Sequence, residues 1–152
     1  MSLVVLMVFS GAAYAYWGSS GNGGGSGKTG TSEAVILSPG SPTAQLRPGG
    51  RANVVLDISN PNTSPVEIAS LVLDTSQGVG GYGVDAGHSD CTPGSLDFTT
   101  QTNGGAGWTV PGRAGAVNGT RAVSLTDAIF MQLNAANACQ GAHFTVYLKA
   151  GP

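Results

Sequence analysis

Ala52-Asn53-Val54-Val55-Leu56-Asp57-Ile58-Ser59 alternates in character. Val54, Leu56 and Ile58 fall on one face, and Asn53, Val55, Asp57 and Ser59 on the other. Successive side chains leave a pleated backbone on opposite sides, so this period of two predicts a strand with one buried face. Turns bracket it: Arg47-Pro48-Gly49-Gly50 before, and Asn60-Pro61-Asn62-Thr63-Ser64-Pro65 after, where proline cannot continue a ladder. Val66 to Asp74 resumes the alternation through Val66 and Ile68, then Leu71 and Leu73. The phase slips by one near Ala69-Ser70, which predicts a bulge or bend there.

The same reading extends outward. Glu33 to Leu37 is a short apolar strand stopped by Ser38-Pro39-Gly40, and Thr43 to Leu46 is a second short piece. Gly78 to Gly83 reads as a loop, and Val84 to Gly94 as irregular chain. Ser95 to Thr100 alternates weakly, and Trp108-Thr109-Val110 starts another strand. Asn118-Gly119 is a two-residue hairpin signal joining Arg113–Val117 to Thr120–Thr126. Asp127 to Ala138 is compatible with a strand or a short helix. In Ala142 to Leu148, Phe144, Val146 and Leu148 face one way and His143, Thr145 and Tyr147 the other. Seven to nine short strands with Gly/Pro turns and no convincing helical stripe predict an all-β antiparallel sandwich.

The N-terminus sets the compartment. Leu3 to Phe9 is unbroken apolar chain, and Ala13-Tyr14-Ala15 has the small residues of a cleavage site. Residues 1–15 therefore read as a secretory signal peptide cut before Tyr16. Its leading end carries no Lys or Arg, which points to a start upstream of Met1 or a trimmed leader. The alternative is an uncut membrane anchor, although the apolar stretch is shorter than the roughly 20 residues that span a bilayer. Residues 16–31 are a Gly/Ser-rich tether, whose Gly18–Gly30 coil reaches about 20 Å. Tyr16 and Trp17 stand at its free end, either as mere flanks of the cleavage site or as docking aromatics. Residues 32–152 form the folded domain. Cys91 and Cys139 are the only cysteines, and in an oxidising compartment they are expected to bond.

Composition excludes several functions. Charged residues make up 9 % of the chain, against about 25 % in an average soluble domain. Six scattered Lys and Arg cannot neutralise a phosphate backbone, so nucleic acid is not an expected partner. Gly78-x-Gly80-x-x-Gly83 matches a dinucleotide fingerprint as a string, but no helix follows to receive a pyrophosphate. Asn22 to Thr29 misses a phosphate-binding loop by one residue and is linker. The acceptor patterns at Asn62 and Asn118 are explained by their turns.

The remaining chemistry gathers around Cys91. Asp85, His88, Ser89 and Asp90 share one loop, and His143 approaches only by folding. A hydrolytic triad needs base and nucleophile to converge, whereas the adjacent His88 and Ser89 point apart on extended backbone. A calcium loop of Asp85, Asp90 and Asp97 suits a hard cation better, without the spacing of an EF-hand. The competing reading is a solvated loop pinned by the disulfide. No cofactor is assigned from these residues, and no metal beyond that calcium loop.

Leu46-Arg47-Pro48-Gly49-Gly50, VVLDISNP at 54–61 and Pro65-Val66-Glu67-Ile68 resemble immunoglobulin-like β-sandwiches of bacterial surface proteins. Cys139-Gln140-Gly141-Ala142-His143-Phe144-Thr145-Val146 resembles the last strand of such domains. The arrangement is similar to small secreted immunoglobulin-like proteins of Gram-positive bacteria. The junction Ala13-Tyr14-Ala15-Tyr16-Trp17 is similar to signal junctions of the camelysin/TasA class of surface fibre subunits, although Gly18–Gly30 follows here instead of an extended strand. The resemblance implies a non-enzymatic structural or adhesive domain, secreted or held at the cell surface, with itself or another surface protein as partner. A membrane is a partner only if the signal segment stays uncut. The alternatives are an extracellular glycan- or protein-binding module and, more remotely, a secreted hydrolase.

Overall fold

A computed structural model describes residues Ser32–Pro152. The expected signal peptide (1–15) and tether (16–31), with Tyr16 and Trp17, lie outside the described residues. The described residues are all-β, with 45 % strand and no helix of seven residues or more among them. No helix among the described residues is long and apolar enough to cross a membrane.

The segments run β1 (Ile36–Leu37), β2 (Ser41–Pro42), β3 (Arg51–Asn60), β4 (Val66–Ile68), β5 (Ser70–Leu73) and β6 (Tyr82–Val84). They continue as β7 (Leu96–Phe98), β8 (Trp108–Val110), β9 (Gly119–Met131), β10 (Phe144–Val146) and β11 (Leu148–Gly151). Eleven segments exceed the seven to nine expected because three longer runs are broken. The breaks fall between β1 and β2, at Ala69 between β4 and β5, and at Tyr147 between β10 and β11. At Ala69 the chain changes partner: Ile68 faces Trp108, while Leu71 faces Ala150. That exchange is the physical content of the phase slip in the sequence.

β3 behaves as its alternation requires. Ala52, Val54, Leu56, Ile58 and Asn60 are buried, and the residues between them are half-buried or exposed. It pairs antiparallel with β9 from Asn60↔Gly119 to Arg51↔Phe130. Two extra residues of β9 fall between the Val54↔Leu125 and Ala52↔Ile129 pairs. This bulge carries Asp127 at φ 48°, and its amide donates to Asn53 Oδ1 at 2.9 Å. β1 and β2 cover the other edge of β3, and β7 pairs with the far end of β9.

The expected hairpin at Asn118-Gly119 is displaced. The turn closes through the Ala114↔Val117 bridge around Gly115 at φ 60°, and Arg113–Val117 is not a strand paired with Thr120–Thr126. Asn118 and Gly119 are not at positive φ, which a two-residue turn of that kind needs. Gly119 opens β9 against the carbonyl of Pro111, where any Cβ would collide. Asp127–Ala138 resolves into strand to Met131 and a tight turn at Asn137–Cys139.

β5 and β6 share one partner run. Leu73 pairs with Leu148 and Tyr82 with Val146, so residues 74–81 leave the ladder as a loop and rejoin it. Its neck is closed by Asp74 N–H to Tyr147 O at 2.8 Å and Tyr147 N–H to Gly81 O at 2.9 Å. Gly83 lies in β6, so the Gly78–Gly83 string ends in a strand. Gly40↔Val146 joins the β2 segment to β10, which curls the sheets toward one another. A single apolar cluster fills the interior, with Val54, Ile58, Leu71, Val110, Ile129 and Val146 fully enclosed. Cys91 and Cys139 are bonded at its margin, both buried.

Candidate functional site

A polar cluster of Asp85 and His88 lies where β6 ends and β10 begins. Beyond the Val84↔Phe144 pair, Asp85 N–H donates to His143 O at 3.1 Å. The chain then tightens into the turn Ala86–His88, closed by His88 N–H to Asp85 O at 3.0 Å. That turn brings His88 Nδ1 to 2.8 and 3.0 Å from the two Asp85 carboxylate oxygens. Asp85 Oδ1 also accepts the His143 amide at 2.8 Å. Cys91 N–H to His88 O, at 2.9 Å, links the turn to the disulfide. Of the residues the sequence grouped here, Asp85 and His88 meet side chain to side chain and Ser89 and Asp90 do not join them, while His143 joins through its main chain, a contact no side-chain pattern encodes.

Bonding of the His88 ring and then of the His143 amide holds the Asp85 carboxyl below its ordinary 3.8. His88 Nε2 and Gln45 Nε2 both lie near Gly141. Two adjoining clefts occupy this side, about 380 Å³ between Ser41–Leu46 and Ala142–Thr145, and about 290 Å³ between Gln45–Pro48 and Gln140–Gly141. Chemically this is an oriented imidazole. A hydrolase needs a hydroxyl or thiol on its second nitrogen. Among the described residues no hydrogen bond reaches Nε2, and Ser89 makes none with the ring.

The three expected calcium ligands are not brought together. Asp85 is engaged by His88 and His143, and Asp97 accepts from Gln132 Nε2 at 2.8 Å. Asp90 makes no side-chain hydrogen bond among those described. No group of three or more His, Cys, Asp or Glu close enough to hold a metal ion occurs among the described residues. The aromatics are core first: Tyr82, Trp108 and Phe144 are buried, and Phe98, Phe130 and Tyr147 half-buried. Burial pushes the Tyr82 phenol up to about 12, so it moves no proton at neutral pH.

Asp74, unremarked in the sequence, is the second organised carboxylate. It accepts from Gln77 Nε2 at 2.7 Å and Ser76 Oγ at 2.6 Å, which hold its pKa at about 2. Lys149 Nζ lies 3.7 Å away. Asp74 and Asp85 are both depressed, so each contributes stability above the ordinary 3.8 and loses it as pH falls through the folded value. Thermal midpoints are therefore expected to drop as pH falls from 3.8 toward about 2, and to drop less in an Asp74→Asn/Asp85→Asn double variant. Melts at stepped pH check this; identical acid slopes in both proteins would remove these carboxylates from the account.

No protein-family model, curated protein or solved structure matches the chain.

Proposed function

We propose that the chain is a secreted or cell-surface structural and adhesive domain, non-enzymatic, folded as an immunoglobulin-like sandwich. One sheet of that sandwich is β1/β2–β3–β9–β7. The other is β8 beside the β4–β5 run beside the β10–β11 run, with the apolar cluster between them. The observation that carries the reading is the buried Cys91–Cys139 bond in a strand-rich domain, since such bonds persist where the environment is oxidising. The Asp85–His88 pair fits the same reading. It ties the turn to β10 next to the disulfide and acts as a clamp.

Fractionation of the native host, with thiols alkylated at lysis, tests this. The chain is expected in the medium or the surface fraction with no alkylated cysteine. Recovery from the cytoplasm with both cysteines alkylated would overturn it. The two adjoining clefts lined by Gln45 and Leu46 favour the second reading, a binding module, in which the surface protein holds a ligand between Ser41–Pro48 and Gln140–Thr145.

A further inference from the structure

β9 has one edge that the described residues leave largely uncovered. β3 pairs with it along its length, whereas β7 pairs only with Ile129–Met131 on the other side. Which groups face outward follows from β3. Ser38 N–H donates to Asp57 O, and Thr43 N–H donates to Asn53 O, so odd residues of β3 bond away from β9. Its even residues bond toward β9, and their partners are Gly119, Arg121, Val123 and Leu125. Thr120, Ala122, Ser124 and Thr126 then direct their amides and carbonyls outward. None of these four makes a main-chain hydrogen bond beyond the β3 ladder among the described residues.

Natural edges are guarded by Lys, by Pro, by inward-pointing charge or by a covering element. Residues 120–126 contain no Lys and no Pro, their one charge is Arg121 on the face of Val123 and Leu125, and the side chains of the outward-bonding residues are Thr, Ala, Ser and Thr. The window is closed at one end by Pro111 against Gly119 and at the other by the Asp127 bulge and β7. A cavity of about 290 Å³ flanks it, between Thr100–Gly104 with Trp108 on one side and Ser124–Thr126 on the other.

We propose that this edge pairs antiparallel with the same edge of a second copy, about a two-fold axis at Val123. The window is symmetric about that residue. Thr120 then faces Thr126 of the other copy, and Ala122 faces Ser124, so all outward amides and carbonyls find partners. Exposed Arg121, whose guanidinium donates to Thr109 O at 3.2 Å within its own chain, lies toward the end of the window where exposed Asp127 of the other copy sits in its bulge, and this happens twice by symmetry. An unrelated extended peptide would satisfy the main chain equally but would not be matched in charge by the window itself. The proposal deepens the structural reading and rests on it for its biological purpose. Self-association and cellular location are measured separately, so either can fail alone.

The purified chain is expected to pass from monomer to dimer between micromolar and millimolar concentration, by light scattering after size exclusion. Ser124→Pro removes one outward amide per copy at a position where an edge strand tolerates proline. It should weaken dimerisation by about 30-fold, two net hydrogen bonds' worth, with the native disulfide and thermal melt retained. Register is read by cross-linking. An oxidised mixture of Ala122→Cys and Ser124→Cys chains should form mixed dimers, because directly opposed residues are about 5.5 Å apart at Cα. Neither variant should cross-link alone, its like residues being diagonal and about 7–8 Å apart. A monomer at every concentration would overturn the proposal. So would a dimer unaffected by Ser124→Pro, one lost on deleting residues 1–31, or cross-linking by either variant alone.

Discussion

Replacing Cys91 and Cys139 together by alanine is expected to lower the free energy of unfolding by about 4 kcal/mol. The bridge spans 48 residues of sequence, and closing a loop of that length in the unfolded chain accounts for a figure of this size. Both sulfurs are buried, so alanine leaves apolar surroundings apolar, and the loss reads mainly the cross-link. The regions it joins also share a main-chain bond, Gln132 N–H to Ser95 O at 2.8 Å. Residues 85–95 and 132–142 are chiefly turns, closed by short-range bonds such as Cys139 N–H to Ala136 O at 2.9 Å. Urea unfolding measures the effect, and the denaturant slope should steepen because the open chain exposes more surface. A loss below about 1 kcal/mol with an unchanged slope would mean the denatured chain is already compact there. The clamp should loosen in the same variant, letting the Asp85 carboxyl titrate closer to its ordinary 3.8.

What could be read from the sequence was what depends on local period. β3 was legible because one face is uniformly apolar over ten residues, and the break at Ala69 because the phase change is itself written in the sequence. Phe144, Val146 and Leu148 turned inward as their spacing required. Non-local features were not legible. Asn118-Gly119 carries the residues of a tight turn, yet Gly119 serves a close approach to the Pro111 carbonyl. Asp85 and His88 were placed in one loop by proximity, but nothing local says that the His143 amide completes the cluster. The uncovered edge of β9 depends on how short β7 is and where it sits, which is decided by the whole sheet. Asn60 read as a turn former before proline. Its burial could not be anticipated, because three of its partners lie elsewhere in the chain or across the turn.

Asn60→Ala is expected to cost about 3–4 kcal/mol, large for one polar residue. Asn60 is fully buried, 0 % exposed, at the end of β3. Its amide nitrogen donates to Ser64 O at 2.9 Å, Pro111 O at 3.1 Å and, at longer range, Val110 O at 3.4 Å. Its oxygen accepts the Asn62 main-chain and side-chain amides, both at 2.9 Å. Asn62 in turn exchanges two hydrogen bonds with the main chain of Glu33. Alanine removes the donor to the Ser64, Pro111 and Val110 carbonyls and the acceptor of two Asn62 amides, at a site that is itself fully buried. Asn60→Asp separates this account from simple loss of packing. At neutral pH the introduced carboxylate cannot donate and faces three carbonyls, so it should be less stable than Asn60→Ala. Those neighbours raise its folded-state pKa above the unfolded value of about 3.9. A raised pKa means the folded state binds the extra proton more tightly, so stability is recovered as pH falls through the folded value. The melting temperature of Asn60→Asp should therefore rise relative to that of Asn60→Ala on acidification. Equal melts of the two variants at every pH would show that the site is held by shape alone.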